Sequence, residues 1–530
     1  MSYNRVKLLT VVHGNEVCNL PEQGPAEAQG RAPGRCSVLA SPRDGVLACP
    51  SMLERKVLGK LEEVVGPQGL LVRPEHVLVY ECDGTTAFKS PPEAVVLPRS
   101  TEDVSRVVRI CADAKIPFVG RGAGTGLSGG AIPSEGGVVV AMNRMNRILS
   151  VDPINRTARV ETGIVNLEIS RGVAEHGLFF APDPSSQSSC TVGGNIAENA
   201  GGPHCFKYGA TTAHILSLTV VLPNGEIVDL GERRETVGYD LVGLFIGSEG
   251  TFGIATAADV RLLPLPEAVK TCLATFPSMV EACEAVSDIV ALGIIPAAVE
   301  MMDRATIEVV EAGASAGGFP KDAEAVLLVE FDGAPAGLDR LEKEVDGICR
   351  RRGAVAFVAA RDAREREKLW KGRKAAFGAM GRLSTDLYVQ DGVVPRTRLP
   401  EVLAKVDEIG RKHGIRVANV FHAGDGNLHP CISYDGRDES EKQRVLAAGK
   451  EILELCVSVG GAITGEHGVG TEKSNYMSLS FSESDLDLMR SIREVWNPDG
   501  LCNPGKVFPT RQGCGEAGLP SMVSGGGAWI

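Results

Sequence analysis

The chain has 530 residues, 43% of them hydrophobic and 5% aromatic, and carries a formal charge of -12 at pH 7. That length exceeds what one core sustains, so two large domains are expected, and the negative charge argues against nucleic acid, whose phosphates need a basic surface. No apolar run reaches the roughly 20 residues of a spanning helix, and the 14 cysteines show no paired spacing that would signal a disulfide framework, a zinc finger or iron–sulfur ligation. A cytoplasmic protein without direct membrane insertion is expected.

Residues 1–50 are rich in Gly, Pro, Ala and short polar residues and predict a loosely ordered arm. From Ser51 onward Leu53, Val57, Leu58, Leu61 and Val64 fall at helical spacing. Between Glu93 and Leu265, β-rich runs at 94–97, 117–120 and 137–140 alternate with a helix at 101–114 and with glycine loops. The prolines of Leu262-Leu263-Pro264-Leu265-Pro266 close this part. One domain is therefore expected over 51–266.

A second alternation follows, with strands at 271–276, 325–331 and 354–359 and helices at 279–292 and 337–351. This β-α-β order, twice over, predicts an antiparallel sheet with helices packed on one face, in a domain over 267–481. A helix at 482–495 and the turn Asn497-Pro498-Asp499-Gly500 lead into a closing segment, 482–512, expected to complete the first domain. Residues 513–530 read as a tail. The fold class is α+β with two domains.

The most informative stretch is Arg121-Gly122-Ala123-Gly124-Thr125-Gly126-Leu127-Ser128-Gly129-Gly130, directly after the strand at 117–120. Glycines at alternate positions let backbone N–H groups converge on an oxyanion, forming a nest for a diphosphate. The spacing fits neither GxGxxG before a helix nor GxxxxGK[ST], and a ligand-free turn would use the same residues. Two further clusters favour a ligand: Thr191-Val192-Gly193-Gly194 leading to Asn199-Ala200-Gly201-Gly202, and Gly247-Ser248-Glu249-Gly250-Thr251-Phe252-Gly253-Ile254. Each glycine costs folding entropy, and a long flat cofactor against bare backbone accounts for the expense.

The polar constellation lies further on. A strand at 416–421 precedes His422 and His429, which flank the turn formers Gly424-Asp425-Gly426-Asn427 and should face each other across a hairpin. Glu466-His467, in a second glycine-rich piece, offers an adjacent carboxylate and imidazole. Two histidines and a glutamate suit a divalent Zn, Mn or Fe site with open positions, although a histidine pair at a turn can simply be hydrogen-bonded. Arg373, in a charged helical stretch, is either a bidentate carboxylate clamp or a solvated helix residue.

Together with Ala181-Pro182-Asp183-Pro184-Ser185-Ser186 and Asn503-Pro504-Gly505-Lys506, these motifs resemble the vanillyl-alcohol-oxidase or PCMH-type FAD-linked oxidoreductases. Within that group the chain is most similar to the FAD-binding (D) subunits of glycolate oxidase, alongside the D-lactate and D-2-hydroxyglutarate dehydrogenases. The resemblance spans about residues 77–509 and implies a PCMH-type FAD domain with a second, substrate-binding cap domain. It implies that the loop from Arg121 to Ser128 holds the FAD diphosphate, with Pro182, Gly193, Gly194, Asn199, Gly201, Gly202, Ile254 and Asn503 around the rest of the cofactor. By the same likeness His422, His429 and Glu466 bind the metal, His467 is the general base, and Arg373 holds the substrate carboxylate. The implied activity is oxidation of a short 2-hydroxy acid, such as glycolate or D-lactate, by hydride transfer to flavin N5.

Departures refine this. Thr125 stands where covalent relatives carry histidine, so FAD is expected to be non-covalent. Val389 and Cys431 replace the lysine and asparagine that serve a second carboxylate in the 2-hydroxyglutarate enzymes, which favours a monocarboxylate. The family often works with a second flavin-type subunit and an iron–sulfur subunit, which would bring any membrane association. Two other classes fit parts of the pattern: a metal-dependent hydrolase, which leaves the glycine clusters unexplained, and a non-catalytic electron-transfer subunit, which leaves His467 and Arg373 unexplained.

Overall fold

The apolar run before the first glycine loop becomes the middle of a four-stranded sheet. Ala94–Val96, Val138–Ala141 and Phe118–Arg121 run parallel, in that spatial order, and Leu70–Leu71 adds an antiparallel edge. Val138, Val139 and Val140 are fully buried, as expected of a parallel strand covered on both faces. Helices Arg55–Val65 and Thr101–Asp113 pack against this sheet through Leu61, Val104, Val107 and Val108. The second helix starts at Ser100, whose hydroxyl accepts from the Asp103 amide at 3.1 Å, a cap contributing about 1 kcal/mol. The computed structural model describes residues 53–231 and 238–509, all within one compact unit, Cys49–Ile530. The arm expected over 1–50 and the tail expected over 513–530 lie outside the described residues.

An antiparallel sheet of five strands stands beside the first, in the order Ile148–Asp152, Thr157–Glu161, Ile254–Arg261, Ile215–Val221, Ile227–Leu230. The chain end returns to these sheets. The Phe118 amide donates to Leu501 O at 2.9 Å and the Asn503 amide donates to Phe118 O at 2.8 Å. Trp496, ending the helix Glu483–Trp496, stacks on Phe252 with ring centroids 5.3 Å apart.

The remaining chain forms a seven-stranded sheet, wholly antiparallel: Ala356–Ala359, Ala268–Phe276, Ala325–Gly333, Ala298–Asp303, Val417–His422, Pro430–Tyr434, Asp386–Val389. Helices Met279–Ala291, Pro335–Arg351, Leu399–His413 and Glu439–Ser458 cover one face. The expectation of helices on one face only is corrected here. Met302, Val326, Leu328, Val420 and Cys431 point the other way into a second apolar cluster, capped by Arg304–Glu311, Ala363–Lys374 and Ala376–Met380. The strands are buried on both sides, so both faces needed a cover. Among the described residues no helix is long and apolar enough to cross a membrane, and the described cysteines are all free thiols.

Candidate active site

The glycine loop leaves the strand Phe118–Arg121 and lines a cavity of about 470 Å³, within the range of roughly 300–1,000 Å³ usual for small-molecule sites. Its shape depends on missing side chains. A Cβ at Gly122 would lie 2.1 Å from Thr191 Oγ1, and one at Gly124, where φ is +70°, would lie 2.2 Å from Arg121 Nη2. Arg121 itself folds beneath the loop, donating from Nη2 to Cys82 O at 2.7 Å and from Nη1 to Ala131 O at 3.2 Å. It braces the loop with its charge buried there.

Gly193 and Gly194 open the helix Val192–Glu198 on the neighbouring wall, and Ile254 presses on Gly120. Asn503 closes the far side. Its Nδ2 donates to Gly130 O at 3.0 Å and to Glu249 O at 2.7 Å, so the chain end pins two glycine clusters together.

The opposite end of the cavity carries Glu466 and His467. His422 Nε2 and His429 Nε2 each lie 3.0 Å from the same atom, Glu466 Oε1. The His429 and His467 rings stack with centroids 4.9 Å apart, and His422 meets His429 edge-on at 5.1 Å. Asp391 organises the loop beneath: its Oδ2 accepts from Thr464 Oγ1 at 2.5 Å and from the amides of Gly465 at 3.0 Å and His467 at 2.9 Å. Asp391, His429, Glu466 and His467 can each place one ligand atom within 4.8 Å of the others. Nitrogen and carboxylate donors converging this way suit a divalent transition metal. Burial pushes the His467 imidazole down to about 4, so it is neutral at pH 7.

Behind His422 sits a fully buried ion pair. Glu300 Oε1 accepts from His422 Nδ1 at 2.7 Å, while Glu300 Oε2 lies 2.5 Å from Arg373 Nη2. Arg373 Nε and Nη1 are buried without hydrogen-bond partners, a costly state for a cation unless an anion joins it. The helix carrying Arg373 is itself anchored. Glu330 accepts from Arg366 twice at 3.0 Å and from Trp370 Nε1 at 2.6 Å. His204, held by Asp183 at 2.8 Å and Glu330 at 3.2 Å, is raised to about 10 by those two carboxylates against its burial. A charged imidazole thus ties the loop after Pro182 to the seven-stranded sheet.

Two domain models match the chain, "FAD binding domain" over 92–231 and "FAD linked oxidases, C-terminal domain" over 265–507. The glycolate oxidase subunit GlcD of Escherichia coli K12 is 46% identical, covering 91% of this chain and 96% of that protein. The chain belongs to the GlcD family of FAD-linked oxidases. A D-lactate dehydrogenase of Anaerostipes hadrus is 32% identical over 86% of this chain and 97% of that protein. Among solved structures, p-cresol methylhydroxylase with substrate bound superposes with a TM-score of 0.74 at 19% identity, covering 86% of this chain and 98% of that one. The fold is therefore the two-domain PCMH-type FAD-binding fold, and the cavity of this GlcD-family chain is lined from both matched domains, by Gly122–Gly126 from one and by Val389, Glu466 and His467 from the other.

Not every expected residue reaches the cavity wall. Arg121, Gly122, Ala123, Gly124, Thr125, Gly126, Leu127, Gly193, Gly194, Ile254, Asn503, Glu466 and His467 do. Ser128, Pro182, Asn199, Gly201 and Gly202 stand behind it, and His422, His429 and Arg373 are buried off the wall as well. Ser128 O accepts the Thr471 and Glu472 amides, Asn199 caps its helix at φ +51°, and a Cβ at Gly202 would strike Asp183 O at 2.5 Å. Pro184, Ser185 and Ser186 take the wall position expected of Pro182. Val389 is on the wall, and Cys431 is its register partner on the next strand, buried. Sequence reading missed Glu300 and Asp391; Glu300 carries a visible sign as a lone acid in the apolar run Ala297-Ala298-Val299-Glu300-Met301-Met302, whereas Asp391, beside Gln390, carries none. It also missed Glu198 and Lys374 on the wall.

Proposed function

We propose that this chain oxidises a short 2-hydroxy monocarboxylate, glycolate or D-lactate, to the 2-keto acid with non-covalent FAD as the electron acceptor. The observation that carries this reading is one continuous cavity running from the glycine loop at Gly122–Gly126 to Glu466 and His467. The loop from Arg121 to Ser128 would hold the FAD diphosphate, with Gly193, Gly194, Ile254 and Asn503 around the remainder and Pro182, Asn199, Gly201 and Gly202 supporting it. Thr125 on the wall offers no imidazole for a covalent link. His422, His429 and Glu466 would hold a divalent Zn, Mn or Fe ion, with Asp391 beneath.

In this mechanism Arg373 takes the substrate carboxylate with the donors that Glu300 leaves free. His467 accepts the hydroxyl proton at Nε2, and the stacked His429 fixes its ring plane. When bound, FAD supplies the two-electron acceptor and the metal lowers the pKa of the alcohol. Leu127, Phe377, Leu387 and Val389 make much of that wall apolar, with Lys374 as a cation on it. The relative's description as a glycolate oxidase subunit supports a chain that would work with a second flavin-type subunit and an iron–sulfur subunit, through which any membrane association would come.

Anaerobic reduction of the bound flavin, screened over short D- and L-2-hydroxy acids with and without chelator, tests the reading. Glycolate and D-lactate are expected to bleach the flavin, 2-hydroxyglutarate to do so far more slowly, and chelator to slow bleaching with FAD content unchanged. A flavin that no short 2-hydroxy acid reduces would contradict it.

A further inference from the structure

Glu198 ends the helix Val192–Glu198 and borders the cavity. Two glycines make room for its carboxyl. A Cβ at Gly130 would lie 2.6 Å from Glu198 Oε1, and a Cβ at Gly468, one residue past His467, would lie 2.1 Å from Oε2. The carboxyl therefore sits between the first glycine loop and the proton-accepting end, where the acceptor ring must approach the substrate. Its Oε2 is buried and has no hydrogen-bond partner.

Glu249 is the contrasting neighbour. A Cβ at Gly468 would also lie 3.0 Å from Glu249 Oε1, so the two acids flank the same glycine. Glu249 accepts from the Val469 amide at 2.7 Å and the Gly470 amide at 2.6 Å. Two carboxyls this close, shut away from bulk water, cannot both ionise. Burial raises the Glu249 carboxyl too, but the two amides and Lys473 oppose that rise, whereas nothing donates to the buried Oε2 of Glu198, which is therefore the acid that holds the proton. Burial, then Glu249 and Asp83, drive the Glu198 carboxyl well above its ordinary value, with Asp391 adding and Lys473 opposing.

We propose that Glu198 is a neutral acid that donates a hydrogen bond to the flavin ring in this cavity and so favours the ring's reduction, an inference resting on the FAD reading above. When bound, the ring would take up the hydride released from the substrate Cα–H bond and with it one negative charge. Glu198 gives up no proton: its O–H stabilises that charge as a fixed donor.

The sign of the change in reduction potential tests this. FAD-loaded wild type, Glu198→Gln and Glu198→Leu are equilibrated anaerobically with a reference dye, and the bound flavin is quantified in each. Glutamine keeps a neutral donor of the same shape, so Glu198→Gln is expected to match wild type. Leucine removes the donor, and Glu198→Leu is expected to shift the equilibrium about tenfold toward the oxidised form, about 30 mV for a two-electron couple. A charged Glu198 predicts the reverse: both variants, having lost a negative charge, would move toward the reduced form, and that result overturns the proposal. If the leucine variant does not fold, Glu198→Ala takes its place with the same expectation, and a donor-less variant that matches wild type overturns the proposal. Wild type devoid of FAD would overturn the functional reading itself, a failure separate from either sign.

Discussion

Replacing His467 with alanine is expected to lower turnover by roughly 10²–10⁴-fold, the usual worth of a positioned general base, while FAD stays bound. The imidazole lies on the cavity wall, has its ring plane set by stacking on His429, and is kept neutral by burial. The backbone groups proposed to hold the diphosphate at Gly122–Gly126 do not involve the His467 side chain, so cofactor content should not change. Steady-state rates, the rate of anaerobic flavin reduction and the FAD-to-protein ratio together check this. A variant that reduces its flavin at the wild-type rate would remove His467 from the mechanism.

The second large effect is on stability. Substitution Arg373→Met is expected to cost about 3–5 kcal/mol, because it leaves the buried Glu300 charge with His422 as its remaining partner. Both side chains of the pair are wholly buried. Arg373 and His422 hold the Glu300 carboxyl below its ordinary range against the pull of burial. The double variant Glu300→Leu with Arg373→Met removes both charges and is expected to recover much of the loss, since replacing a buried pair by apolar groups is often close to neutral. Urea unfolding of the two single variants and the double gives the coupling directly. A single variant as stable as wild type would mean the pair contributes no compensation. Activity should stay low in all three, as each lacks the carboxylate clamp or the acid that orients His422.

The parts of this molecule legible in the sequence are those whose cause is local. Gly122 and Gly124 announce themselves because the backbone there must approach a neighbour more closely than a Cβ permits. Helix starts such as Ser100 and Ser482 have a local cause, since the capping hydroxyl accepts from the amide three residues on. His422 and His429 are visible because the turn between them is written in Gly, Asp and Asn. Glu300 and Asp391 gain their meaning only from partners far along the chain: Glu300 meets His422 122 positions later, and Asp391 holds amides 74 to 76 positions later. Strand order was hidden for the same reason, and with it the second layer of helices. An apolar strand reads identically whether one face or both are covered. Pro182 shows a finer limit, since a loop can be placed correctly while the residue that touches the cavity is two positions further on.

The central claim is that bare backbone at the glycine loop holds the FAD diphosphate at one end of the cavity that carries His467 at the other. Fluorescence titration of FAD into deflavinated wild type and Gly122→Val tests it most directly, with thermal unfolding alongside to confirm that both are folded. A side chain at Gly122 meets Thr191 Oγ1 at 2.1 Å and pushes the loop off the wall. The account predicts tight, saturable uptake by wild type and at least a tenfold weaker affinity in the variant, about 1.4 kcal/mol or more. Equal affinity in a folded Gly122→Val protein, or no uptake by wild type, would contradict it.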